Sequence, residues 1–319
     1  MSRVAPGRRY LPAMTFAVLA LLCALLPIGR TITSLASLSA SASATANTAS
    51  ATTCTSTAWN TLVTNTANIP SNSQDAFQRL SGDLTSDVWM SSSAWTNSSM
   101  LLNQAGALYC DSNLGVSTPA VSGSAAHVDS ASVSQSTFFT SGTTANATVM
   151  FWFQTTTASA GRLASIGNGA ASDRVIWVDA SGYLRFSAWA SNTSSTWSTA
   201  AAGKPVNDGS WHLVVAIMGT TSPTGGGVSL YLDGVSIATQ AAGSSYNFRT
   251  GYGSSGFGTN PAYVSWTLGS QTATAFPTGV PKAGAAPASY DEFVQFDTTN
   301  LSGTLLGTGT GSLYRSADI

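Results

Sequence analysis

The stretch NDGSWHLVVAIM, residues 207–218, opens with a turn signature and closes in an unbroken apolar run. In an extended chain successive side chains point to opposite faces, so Leu213, Val215 and Ile217 share one side and Val214, Ala216 and Met218 the other. Both sides are apolar, which predicts a strand buried on both faces. Asp208-Gly209 reads as the turn that delivers the chain into it. Asp208, Gly209, Trp211 and His212 together invite a catalytic reading in a chain with only two histidines. The apolar run behind them predicts instead that Trp211 and His212 are the first residues of a core strand.

Other strands follow from alternation and from β-branched and aromatic enrichment: ATVMFWFQ (147–154), RVIWVD (174–179), YLRFSAW (183–189), VSLYLD (228–233) and YDEFVQF (290–296). No long amphipathic helix separates them, so antiparallel pairing in a sandwich or barrel is expected. Asp179-Ala180-Ser181-Gly182 reads as one turn, and Asp233-Gly234 as a tight hairpin. In YLRFSAW, Leu184, Phe186 and Ala188 share one face, while Tyr183, Arg185, Ser187 and Trp189 form an outer face suited to a flat polar ligand. Upstream, Phe77, Leu80, Leu84 and Val88 fall at helical spacing behind Ser73, a candidate N-cap, and predict a helix over 73–90 that Gly82 interrupts.

Charged residues make up 8% of the 319, and four of the twelve basic ones, Arg3, Arg8, Arg9 and Arg30, flank the apolar run 11–28. That layout predicts export, either by a secretory signal or by a retained membrane anchor. The rest of the chain is mildly acidic with only two lysines, Lys204 and Lys282, which excludes the basic footprint of a nucleic-acid binder. Residues 31–53 are a Ser/Thr/Ala-rich linker. Cys23 lies inside the apolar run, which leaves Cys54 and Cys110 as an expected disulfide in an oxidising compartment.

In order, MFWFQTTTASAGRLASIGNG, SDRVIWVDASGYLRFSAW, PVNDGSWHLVVAIMG, VSLYLDGVSIA, WTLGS and SYDEFVQFDTTNLSG resemble the LamG-like domains of the concanavalin A-like lectin/glucanase superfamily. The likeness is carried by the DG-x-WH and LYLDG pair, and AFQRLSG (76–82) resembles the family's first strand. The resemblance implies an all-β, antiparallel jelly-roll sandwich over 75–319, preceded by a signal or anchor (1–30), the linker (31–53) and a disulfide-tethered segment (54–74). It implies a non-catalytic module at the cell surface that binds glycans or surface proteins. A structural assembly subunit and a glycoside hydrolase are the alternatives. The chain lacks a clear D-F-D-G-type segment before ATVMFWF and carries an aromatic, glycine-rich insertion over 244–266.

The chemistry supports the non-catalytic reading. The superfamily's glucanases draw their carboxylates from an E-x-D-x-E strand, and Glu292 is the only glutamate here. No Gly-x-Ser-x-Gly elbow accompanies either histidine, and no Gly-Lys-Ser/Thr loop occurs. Calcium is a cofactor the fold could take, with Asp173, read as lying on a loop, and Asp291 as candidate ligands. Loop aromatics Trp197, Tyr246, Tyr252 and Phe257 are the candidate ligand-binding residues, since aromatic faces stack on sugar rings.

Non-reducing peptide mapping of the exported chain is expected to recover Cys54 and Cys110 in one linked peptide. Closing a loop of that length stabilises by about 4 kcal/mol on the chain-entropy model.

Overall fold

The computed structural model describes residues 56–80, 84, 88–89, 95–108, 114–119, 126–130, 147–158, 160–167, 172–189, 196–199, 202–219, 227–241, 265–270, 276–277, 279–282, 284–296 and 301–317. The chain divides into Met1–Cys54 and Thr55–Ile319. The apolar run 11–28, the linker 31–53, Cys54 and Cys110 lie outside the described residues, and among these residues no helix is long and apolar enough to cross a membrane.

Thr55–Ile319 is an antiparallel β-sandwich, as the strand pattern predicts. The first sheet runs, in spatial order, β13 (Val235–Ala241), β12 (Gly227–Leu232), β11 (Trp211–Gly219), β6 (Ala147–Thr155), β15 (Ala288–Phe296), β4 (Leu114–Ser117) and β3 (Leu101–Ala105), and β1 (Gln74–Gln78) also pairs with β15. The second runs β10 (Thr196–Ser198), β9 (Leu184–Trp189), β8 (Ser172–Val178), β7 (Gly161–Gly167), β14 (Ser265–Gly269), β5 (His127–Asp129) and β2 (Thr96–Ser98).

The two-faced character of residues 213–218 is realised in full. Val214, Ala216 and Met218 join Phe151, Phe153, Tyr290, Phe293, Phe186 and Trp266 between the sheets. Leu213, Val215 and Ile217 point the other way, into a second apolar layer with Met150, Trp152, Val294 and Phe296. That outer layer is covered by helix α1 (Ser56–Thr64), through Trp59 and Val63, and by the C-terminal segment, through Leu305 and Leu306 of the short α2 (Gly303–Leu306) and through Leu313. Trp152 is the hinge pin of this cap: its ring meets Trp59 edge-on at 5.7 Å and stacks on Tyr314 at 6.1 Å.

The turns behave as their residues require. Gly182 has φ +84°, and at the β12–β13 hairpin Asp233 and Gly234 have φ +52° and +78°, the doubly left-handed pair that a two-residue hairpin selects. A Cβ on Gly234 would sit 2.3 Å from the Gly307 carbonyl oxygen, so the hairpin tip abuts the end of α2 and no side chain fits between them.

Three expectations are corrected. Residues 74–78 of the helix expected over 73–90 form a strand instead: a 3-10 turn (Ser71–Ser73) leads into β1, because pairing with the exposed edge of β15 satisfies its backbone groups. Residues 76–78 of the stretch resembling a first strand lie in β1. The outer face of β9 is not an open platform: Ser187 is fully buried and accepts the Trp177 indole N–H at 2.9 Å, and Arg185 is tied to Asp179 and to the Thr199 carbonyl. Trp211 is only half-buried, since it is the first residue of its strand and packs against the cap from the rim.

Trp152→Ala is expected to lower the free energy of unfolding by about 3–5 kcal/mol in denaturant melts, as for other buried aromatic truncations. Trp211→Ala is expected to cost clearly less in the same assay.

Candidate functional site

Strand register sorts the connections to the two rims of the sandwich. β6 enters at Ala147 opposite Met218 and leaves at Thr155, and 156–160 then hands the chain to β7, which runs back to Gly167. The rim at Ala147 is therefore also the rim at Gly167. Gly167 lies opposite Ser172 and Ser265, Trp189 opposite Thr196, and Gly227 opposite both Gly219 and Ala241. The connections 168–171, 190–195, 220–226 and 242–264 thus all join strand ends at this one rim. The opposite rim carries the turns 156–160, 179–183 and 233–234 and the longer connections 202–210 and 270–287.

The predicted ligand-binding residues divide accordingly. Tyr246, Tyr252 and Phe257 fall between Ala241 and Ser265, outside the described residues. Trp197 is not on a loop: it is the middle residue of β10, opposite Ala188, because a three-residue Thr-Trp-Ser run completes the sheet edge beside β9. Asp173 is likewise not on a loop but in β8, opposite Ile166.

Asp291 is fully buried, and its Oδ2 accepts the Ala107 amide at 2.8 Å. It sits where β15 changes partner, pairing with β4 through Ser289 and Tyr290 and with β1 through 293–296, with a register shift between Asp291 and Val294. Glu292 occupies that shift at φ +52° and accepts from Arg79 Nε at 3.0 Å and Nη2 at 2.8 Å. Glu292 thus ties down the residue after β1, and Asp291 the chain between β3 and β4. These positions suit anchoring rather than calcium, whose hard-oxygen cage needs several convergent carboxylates, and among the described residues no group of three or more His, Cys, Asp and Glu could hold a metal.

At the opposite rim the histidine of the opening motif has charged neighbours. His212 is 1% exposed, with Nδ1 2.8 Å from Asp233 Oδ2 and Nε2 3.1 Å from Asp208 Oδ1. Asp233 Oδ1 accepts the Leu213 amide at 3.0 Å, and Lys204 Nζ lies 3.1 Å from its Oδ2. The DG-x-WH and LYLDG elements are therefore two halves of one contact. Sequence reasoning used their spacing but missed the partnership of Asp233 with His212; two Asp-Gly turns flanking a buried strand were the available signal. Arg162 was missed altogether: it is buried, lies over the Phe276 ring at 4.2 Å, and donates to the Pro281 and Lys282 carbonyls, strapping 276–287 across the second sheet.

Residues 122–270 match a family model described as Concanavalin A-like lectin/glucanases superfamily, of the Laminin G type. Over those residues the sandwich resembles a Laminin G domain. No curated protein matches the chain. Among solved structures, the LamG-like sandwich is similar to a botulinum neurotoxin type C structure concerned with cell entry dependent upon interaction with two ganglioside molecules, at 12% identity, 79% of this chain, 53% of that one and a TM-score of 0.50. It also aligns with the Trypanosoma rangeli sialidase (14% identity, 79% and 34% of the two chains, TM-score 0.47) and with the binding domain of botulinum neurotoxin DC in complex with SialylT (11% identity, 77% and 52%, TM-score 0.49). The chain spans between a third and about half the length of these structures. At such identities the likeness is one of fold, and the LamG-like fold is lectin-like.

Burial pushes the Asp291 carboxyl up to about 7, against the opposing pull of the Ala107 amide and Arg79. A raised acid favours the folded state while it is protonated, so its contribution is complete below the ordinary carboxylate value of about 3.9 and disappears as the pH rises through about 7. Stability measured by denaturant melts is therefore expected to fall between about pH 4 and 7, and Asp291→Asn is expected to flatten that decline. Parallel curves for the two proteins would show an ionised Asp291 throughout.

Proposed function

We propose that this chain is an exported, non-catalytic carbohydrate-binding module acting at a cell surface, with its ligand site on the rim that gathers 168–171, 190–195, 220–226 and 242–264. The observation that carries the reading is the composition of those four connections on a lectin-like sandwich. They hold one charged residue, Arg249, amid Ser, Thr, Gly and Asn, together with Tyr246, Phe248, Tyr252, Phe257 and Tyr263. Aromatic faces and small hydroxyl and amide groups suit the apolar faces and hydroxyls of a sugar ring. Tyr246, Tyr252 and Phe257 are assigned as the stacking residues, with Trp197 of β10 as a fourth.

The neurotoxin of type C, which shares the fold, is tied to ganglioside molecules, and this lends support to a glycan as the partner class. The absence of Asp and Glu from the four connections supports the non-catalytic part, because glycoside hydrolysis ordinarily needs two carboxyls flanking the bond. Glu292, the one glutamate, is buried against Arg79. Export rests on the arginine-flanked run 11–28, either cleaved or kept as an anchor.

The test is a glycan array with the full chain and with the Tyr246→Ala, Tyr252→Ala, Phe257→Ala triple variant. Each stacking ring contributes about 0.5–1.5 kcal/mol beyond area burial, so the triple variant is expected to lose binding at least tenfold with its melting temperature nearly unchanged. Equal binding by the variant would move the site off this rim. Failure of the parent chain to bind any glycan would favour a structural assembly subunit instead.

A further inference from the structure

The contact between the two Asp-Gly turns has a protonation requirement. An imidazole with one ring proton has one donor and one acceptor, whereas an ionised carboxylate only accepts. His212 has carboxylate oxygens at both ring nitrogens, Asp233 Oδ2 at 2.8 Å and Asp208 Oδ1 at 3.1 Å. With a single proton, one of those contacts sets a nitrogen lone pair against an oxygen lone pair. With two, both are charge-assisted hydrogen bonds. The ring is 1% exposed, so water has little access to mediate the difference.

We propose that His212 is a proton-operated latch that holds the 202–210 connection to the β12–β13 hairpin. Among the described residues the groups that face it come from four elements. Lys204 and Asp208 come from the 202–210 connection and Asp233 from the hairpin, while β6 presents only the Phe153 ring, 5.8 Å away. From the C-terminal segment, Tyr314 acts on Lys204. Two members are held charged across a wide range. The Ser210 amide, with His212 adding to it, keeps the Asp208 carboxyl below the usual carboxylate range, and the bond to Asp233 keeps the Lys204 amine above its own. Asp208 thus supports the latch until the pH falls through its depressed value, and Lys204 until the pH rises through its raised one. Loss of the second ring proton breaks one of the two bonds.

Asp208 is the side that lets go. Its bond is the longer, and its side chain is 48% exposed against 8% for Asp233, so water can replace the ring at Asp208 only. Asp233 is also held by the Leu213 amide and Lys204. Release frees the turn in which the Ser210 amide donates to Asp208 Oδ1 at 2.7 Å and the Gly209 amide to the Thr155 carbonyl at 3.1 Å. The latch is independent of the glycan reading, since it lies at the other rim.

The test uses the 15N-labelled full chain, with long-range proton–nitrogen spectra of the histidine rings and amide exchange measured across a pH series. His127, partly exposed beside Asp129, serves as the internal reference. As the His212 ring loses its second proton, the protection factors of Gly209 and Ser210 are expected to fall about tenfold or more, the worth of one charge-assisted bond. In Asp208→Asn the amide oxygen can keep the Ser210 bond and accept from a protonated Nε2 but carries no charge, so protection is expected to follow the ring's titration by a smaller factor than in the wild type. Asp208 sits on an exposed turn, which keeps this variant folded. The latch is overturned if wild-type protection stays constant through the ring's titration, if Asp208→Asn tracks the wild type, or if the ring carries one proton while both amides are fully protected.

Discussion

The structure depends on one constraint: the middle of the first sheet is apolar on both sides. β11, β6 and β15 each alternate large apolar residues inward, toward the second sheet, and outward, toward solvent were nothing there. Leaving Leu213, Val215 and Ile217 in water would forfeit roughly 1.5–3 kcal/mol apiece, and three such losses rival the entire stability of an ordinary domain, about 5–15 kcal/mol. A second cover is therefore obligatory. Segments from both extremities of the folded unit supply it, α1 from one and 301–317 from the other, and they meet over Trp152.

That requirement accounts for the division of labour between rims. The rim where the hairpin tip meets Gly307 is packed and charge-stitched: Gly234 admits no side chain, Asp233 holds two backbone-linked elements, and Arg162 straps a third. The other rim takes 168–171, 190–195, 220–226 and the long 242–264. The charged contacts of Asp233 and Arg162 thus lie at the packed rim.

Much of this was legible in the chain because period-two patterning and Asp-Gly turns act locally. The strand 211–219, the hairpin at 233–234 and the faces of 184–188 follow from neighbours a few positions apart. The helix expected over 73–90 failed because a partner far along the chain, β15, decided its conformation; helical spacing over four residues cannot outweigh an available sheet edge. The same distance hid the pairing of Arg79 with Glu292 and of Ala107 with Asp291. Trp197 looked like a loop residue because its strand is only three residues long. For the candidate site, the pattern disclosed which residue types were unusual, while the rim that unites their segments emerged only from the pairing register.

The meeting of α1 with the final turn at Arg315–Ala317 carries one more consequence. Because the first and last ordered elements of the unit touch, a short peptide could join them, and the chain could be reopened at the exposed Ala180-Ser181 turn without crossing the core. The topology is thus a closed circuit with an arbitrary starting point, and any partner fused before or after it would leave from the same side of the molecule.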